Sequence, residues 1–138
     1  MNLNADLIRD RCIEIEESLK RLQQIRLCQK EEFLSSQDLK DIACYRLLIA
    51  IEAAISLCYH VCAKKLKKVP EEYAECFAIL GQEGIIPKEL SSNLQNMARF
   101  RNLLVHMYWK IDYEKVYEIL KEDIYNLSNF AGQIAKLL

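Results

Sequence analysis

The sequence predicts an all-α fold, an antiparallel up-and-down bundle of four main helices plus one short helix. Three observations predict it. Among 138 residues there are 3 glycines and 2 prolines, too few breakers for the turns of a β-sandwich or barrel. Hydrophobic residues make up 51% of the chain, enough at this length to bury a core without staples. They also recur at helical rather than alternating spacing.

Each element follows from local pattern. Leu7, Cys12, Ile15, Leu19, Leu22 and Ile25 mark one face of a first helix from Leu3 to about Phe33. "SSQD" at 35–38 supplies a stop and a new N-cap. A second helix runs from about Leu39 to Lys67. Its middle is apolar nearly all round, as in a central bundle helix. "KVP" ends it, because Pro70 cannot continue a helix and restricts Val69. A short helix follows near Glu71–Gln82, closed by Gly84 and "IIP". Pro87 suits the entry to a fourth helix, about Lys88–Trp109. Asp112 caps a last helix, about Tyr113–Leu137. No repeat, low-complexity stretch or linker interrupts them, so residues 1–138 read as a single helical-bundle domain.

Composition narrows the function classes. A formal net charge of −1 does not mark the whole chain as a nucleic-acid binder. "KKLKK" at 64–68 is a local basic patch, and a solvated helix end with lysines complementing the dipole explains it. The six cysteines form no C-x-x-C pair. On a helix Cys58 and Cys62 share a face from which His60 points away, which argues against a structural zinc site. They read as small, reduced, buried side chains of a cytosolic protein. The N-terminus has no apolar signal core, and no apolar run approaches membrane-spanning length. The longest, "LLIAIEAAISLCY", is interrupted by Glu52 and reads as a core helix. Cytoplasmic location and no membrane partner are therefore expected.

The chemistry concentrates in "RFRNLLVHMYWKID", residues 100–113. On a wheel stepped at about 100° per residue, Phe100, Leu103, Leu104 and Met107 form a core arc. Asn102, His106 and Arg99 cluster on another arc, and Arg101 lies close to Tyr108. Val105, Tyr108 and Trp109 are costly on a purely solvated face, so an interface is expected there. Histidine, with an unperturbed pKa of about 6.5, gives or takes a proton near neutrality. Arginine offers a permanently charged fork matched to phosphate. Together they suffice for metal-free RNA cleavage: His106 moves protons at the ribose 2′-OH or the leaving oxygen, and Arg101 stabilises charge developing at phosphorus. One histidine does not easily serve as base and acid in one step, and a symmetric dimer would supply a second pair. Metal-dependent hydrolysis needs clustered carboxylates, and no D-x-D or H-x-E grouping occurs. There is no Walker loop. Cys58 and His60, two apart, diverge on a helix and make a poor nucleophile pair.

Arg-x4-His-x-Tyr on the penultimate helix of a small bundle resembles the HepT family of HEPN-domain toxins. "RLLIAIEAAISLCYHVCAKKL", "PEEYAECFAILGQEGIIPKEL" and "LQNMARFRNLLVHMYWKIDYEKVYEIL" look like the corresponding family stretches, and the likeness covers roughly residues 10–130. The resemblance implies a homodimeric, metal-independent endoribonuclease with no cofactor of its own. Arg101 and His106 would be the catalytic pair, and Asn102 fits the polar position after the arginine. Tyr108 matches the tyrosine adenylylated by a minimal nucleotidyltransferase (MNT) antitoxin using ATP. A bulky anionic group there would repel an RNA phosphate. His60 matches a histidine often found on the second helix of relatives, and is given a structural role. Arg99, Lys64, Lys65, Lys67 and Lys68 are candidate RNA contacts. The alternative functional reading is a non-catalytic HEPN module that binds a nucleotidyltransferase and presents a substrate to it. A plain helical scaffold with a polar helix end is the third.

Overall fold

The computed structural model describes residues 2–138 as seven α-helices. They are α1 (Ala5–Arg26), α2 (Lys30–Ser35), α3 (Gln37–Val61), α4 (Tyr73–Gln82), α5 (Lys88–His106), α6 (Tyr113–Glu122) and α7 (Tyr125–Ala135). A π-helical turn, Cys62–Leu66, extends α3, and a 3-10 turn, Tyr108–Lys110, follows α5. Among the described residues there is no β-strand. Asn4 and Arg11 of the α1 end meet His60 and Ser56 of α3, so these two helices run antiparallel. Cys12, Glu16 and Arg26 meet Ala131, Ser128 and Lys121 in turn, so α6 and α7 run antiparallel to α1, and Asn93 of α5 meets Asn126 of α7. The result is the up-and-down bundle that helical periodicity implies.

The caps are locally encoded. Asn4, Ser36 and Asp112 each accept a backbone N–H of the following first turn, from Leu7, Leu39 and Glu114. Each satisfies one donor that a helix start would otherwise leave unpaired. Phe33, Phe77 and Phe130 are fully buried, and the rings of Phe77 and Phe130 meet edge to face at 5.4 Å. Truncating one such ring costs roughly 3–5 kcal/mol.

Several sequence-based boundaries need correction. The first helix stops at Arg26 rather than Phe33, and the last breaks between Glu122 and Tyr125. One contact bears on both breaks. The Arg26 guanidinium donates to the Lys121 carbonyl at 3.0 Å, and the Lys121 ammonium donates to the Arg26 carbonyl. Each carbonyl would serve an N–H four residues on in an unbroken helix. Tyr117 OH likewise takes the Cys28 carbonyl at 2.8 Å. The second helix is closed by Lys67 in the left-handed region (φ 56°), with Lys68 N–H donating to the Cys62 carbonyl. Pro70 lies farther on and does not set that end.

The membrane reading also changes. Gln37–Leu66 is long and apolar enough to cross a membrane. Half of its most apolar stretch is buried inside the bundle, as expected of a central core helix.

α4 packs on α5 at one close approach. A Cβ on Gly81 would stand 2.6 Å from both Ser91 Cβ and Oγ, and Ser91 Oγ donates to the Phe77 carbonyl at 2.7 Å. Gly81→Ala is expected to destabilise the bundle by roughly 1–3 kcal/mol through overpacking, read as a lower Tm in thermal denaturation.

Candidate functional site

Arg101 sits five residues before the end of α5, and three contacts hold its side chain. Its Nε donates to the Glu52 carboxylate of α3. Its guanidinium carbon lies 4.8 Å from the centre of the Tyr73 ring, at the start of α4. Its Nη1 donates to Asn102 Oδ1 at 3.2 Å. The Arg101 side chain is 13% exposed, whereas that of Glu52 is 41% exposed. Of the five N–H donors of a guanidinium, the two hydrogen bonds engage Nε and one on Nη1. The remainder of the fork is what an oxyanion would use.

His106 is the final residue of α5 and is exposed. The helix ends there because Met107 leaves helical geometry (φ −137°, ψ 43°). Two wheel assignments are therefore corrected. Tyr108 lies on the 3-10 turn, not two turns along the same helix from Arg101. Met107, assigned to the core arc, is 36% exposed. Tyr108 and Trp109 are 68% and 67% exposed and pack edge to face at 5.4 Å. With Val105 and Met107 they form an exposed apolar rim beside His106.

The structure brings Arg101, Asn102 and Arg99 onto one stretch of α5. Arg99 Nη1 donates to Asn96 Oδ1 at 3.0 Å. Arg99 and Asn102 also line a cavity of about 390 Å³ with Glu71, Glu72 and Tyr73. The lysines at 64–68 stand elsewhere. Lys64 and Lys65 lie on the π turn, and Lys67 closes it. Lys68 approaches Glu83 at 3.7 Å, just past the end of α4. Tyr73 begins α4, roughly 15 Å away along a helix of that length. Lys68 is thus not brought beside Arg101.

Glu52 and Tyr73 are the site residues that sequence reasoning missed. Glu52 carried a signal, since a carboxylate inside an apolar helix needs a partner. Tyr73 carried none.

His60 Nε2 accepts the Asn4 N–H at 2.9 Å, just ahead of α1. Burial, then the Lys64 charge, lowers its pKa from 6.5. As pH falls, the unfolded chain then takes up this proton before the folded one. The stabilisation is complete above about 6.5 and is lost as pH falls from there through the folded value. Wild-type Tm is expected to fall across that window more steeply than the Tm of His60→Gln, measured by circular dichroism.

The cysteines depart from the all-reduced reading. Cys58 and Cys76 are disulfide-bonded, and Cys62 is buried beside them. Cys12, Cys28 and Cys44 are free and partly buried.

Comparison with known proteins places this bundle. The tri-AMPylated HEPN toxin of Shewanella oneidensis, solved in complex with an MNT antitoxin, superposes with a TM-score of 0.87. It is 26% identical, over 99% of both chains. A toxin–antitoxin structure with AMP-PNP superposes at 0.83, with 25% identity over 97% of this chain and 99% of that one. The fold is thus the HEPN helical bundle. The family model for ribonuclease HepT-like proteins matches residues 15–134, and the chain belongs to that family. The mRNA nuclease HepT of Shewanella oneidensis is 26% identical over 129 residues, 94% of this chain and 96% of that protein.

Proposed function

We propose that this chain is the toxin of a toxin–antitoxin pair, a cytoplasmic endoribonuclease that cuts RNA without a metal ion in a cleft shared by two copies. The observation that carries the reading is the held guanidinium of Arg101, four intervening residues before an exposed His106 on the same helix. An mRNA nuclease and an MNT-bound toxin among the relatives support the reaction class.

The chemistry follows from the groups. His106 of one protomer takes the proton from the ribose 2′-OH, which attacks the adjacent phosphorus. His106 of the partner subunit protonates the departing 5′ oxygen. Arg101 stabilises the charge that gathers on the phosphoryl oxygens. The products are a 2′,3′-cyclic phosphate and a 5′-hydroxyl. Asn102 and Arg99 flank the strand, and the lysines at 64–68 contact RNA farther along. The apolar rim of Val105, Met107, Tyr108 and Trp109 supplies surface for the second copy or for the antitoxin.

Glu52 and Tyr73 position Arg101 without touching substrate. Pre-organisation of this kind lowers the reorganisation needed when charge develops. Glu52→Gln keeps a hydrogen bond but removes the ion pair. It is expected to lower kcat/KM for RNA by about tenfold, on the order of 1.4 kcal/mol, mostly in kcat. The antitoxin is an MNT-type nucleotidyltransferase that uses ATP to adenylylate Tyr108. The nuclease itself takes no cofactor.

The test is direct. Purified chain incubated with RNA in EDTA is expected to yield fragments ending in 2′,3′-cyclic phosphate, identified by mass. No cleavage in EDTA with activity restored by a divalent ion would overturn the metal-free mechanism.

A further inference from the structure

Cys58 near the end of α3 and Cys62, which opens the π turn, meet Cys76 of α4 in the core. Cys58 and Cys76 are bonded, with Cα atoms 6.2 Å apart, and Cys62 Sγ stands 3.5 Å from Cys76 Sγ. All three residues have no exposed surface, and their sulfurs lie within 4.8 Å of one another. The same two helices hold Arg101. Glu52 lies on α3 six residues before Cys58, and Tyr73 lies on α4 three residues before Cys76.

We propose that Cys58, Cys62 and Cys76 form a buried redox centre whose oxidised state ties α3 to α4 and thereby fixes Glu52 and Tyr73 around Arg101. The link to activity rests on the nuclease reading; the centre itself does not.

Charge decides for a disulfide over a metal ion. Three thiolates around a monovalent or divalent cation would leave net negative charge in an apolar core, which is costly to bury. His60 offers no fourth ligand there, since its Nε2 accepts from Asn4. Burial pushes the Cys62 thiol up, with Glu75 adding to this and Lys68 opposing it. A disulfide is neutral and suits the same surroundings.

The oxidant is a hydroperoxide. A cysteine thiolate attacks the peroxide, the O–O bond breaks, and a sulfenic acid forms with release of hydroxide. A second thiol attacks that sulfur, the S–S bond forms, and the sulfenic oxygen leaves with the thiol proton as water. With hydrogen peroxide, two thiols give up two electrons and two protons, and the peroxide becomes two waters. Cys62 permits a further exchange. Its thiolate attacks Cys76 Sγ and expels the Cys58 thiolate, which moves the bond while the end of α3 stays joined to α4. Oxidation proceeds when the start of α4 opens at the irregular stretch 67–72.

The full chain, reduced or treated with hydrogen peroxide, is alkylated under denaturing conditions and weighed. Of 6 cysteines, the reduced chain is expected to carry six labels and the oxidised chain two fewer. Peptide mapping is expected to find Cys76 cross-linked to Cys58 or Cys62. Oxidation is expected to slow amide exchange across α4, raise Tm by on the order of 10 °C, and raise RNA cleavage several-fold. Cys76→Ala is expected to abolish all five responses; should it fail to fold, the Cys58→Ala/Cys62→Ala double variant serves. Unchanged labelling after peroxide, or one zinc ion held by the reduced chain through these cysteines, would overturn the redox centre. An α4 response with unchanged cleavage by an active enzyme would overturn its link to Arg101. RNA left uncut in both states, with α4 still responding, would support the centre and count against the nuclease reading instead.

Discussion

His106→Ala is expected to remove RNA cleavage while leaving the bundle folded. His106 ends α5, is exposed, and contributes nothing to the core. Its loss is therefore expected to change stability by no more than about 0.5 kcal/mol. The catalytic cost is of another order. Loss of a positioned proton-transfer group costs roughly 10²–10⁴-fold. In a shared cleft one substitution removes both base and acid, so kcat is expected to fall toward the upper end. Cleavage rates with wild type and variant at matched circular dichroism check this. Arg101→Ala is a less clean comparison. It also leaves Glu52 without its cation and Tyr73 without its stacked guanidinium, so a stability loss accompanies the kinetic one.

The second large effect concerns control rather than catalysis. Tyr108→Phe is expected to leave nuclease activity within about twofold of wild type, because the ring is exposed on the turn after α5 and surface changes of this kind cost little. The same variant is expected to escape its antitoxin. After coexpression with a minimal nucleotidyltransferase, intact mass is expected to show wild type shifted in AMP units and Tyr108→Phe unshifted. An adenylyl group on Tyr108 would add a phosphate charge two residues from His106, where it would repel an RNA phosphate. Mass additions that persist in Tyr108→Phe would remove Tyr108 as the acceptor.

Much of the architecture was legible because helical periodicity and caps are local signals. Ser36 and Asp112 cap the helices that their positions imply, and α5 begins straight after Pro87. The breaks at Leu27 and Asp123 were not legible. They accompany an exchange between Arg26 and Lys121, residues 95 apart in sequence, and no local pattern announces it. The end of α5 was misjudged because a wheel assumes that the helix continues. "VHMYWK" contains no glycine or proline to stop it, yet Met107 turns out of the helix. The site shows the same division. Arg101, Asn102 and His106 stand out in sequence because their side-chain types and spacing suit phosphate chemistry. Glu52 and Tyr73 become visible only once α3 and α4 are folded against α5. The thiol cluster is similar: Cys58 and Cys62 are one turn apart in sequence, whereas Cys76 reaches them only through the packing of α4.

In the proposed function one cleft uses His106 and Arg101 from two copies of the chain. Purified mixed dimers, with one wild-type and one His106→Ala protomer carrying different affinity tags, test it most directly. A shared cleft predicts that the mixed dimer cleaves saturating RNA almost as poorly as the doubly substituted dimer, because base and acid come from different protomers. Half the wild-type rate in the mixed dimer would contradict it, showing that each protomer cuts RNA with its own histidine.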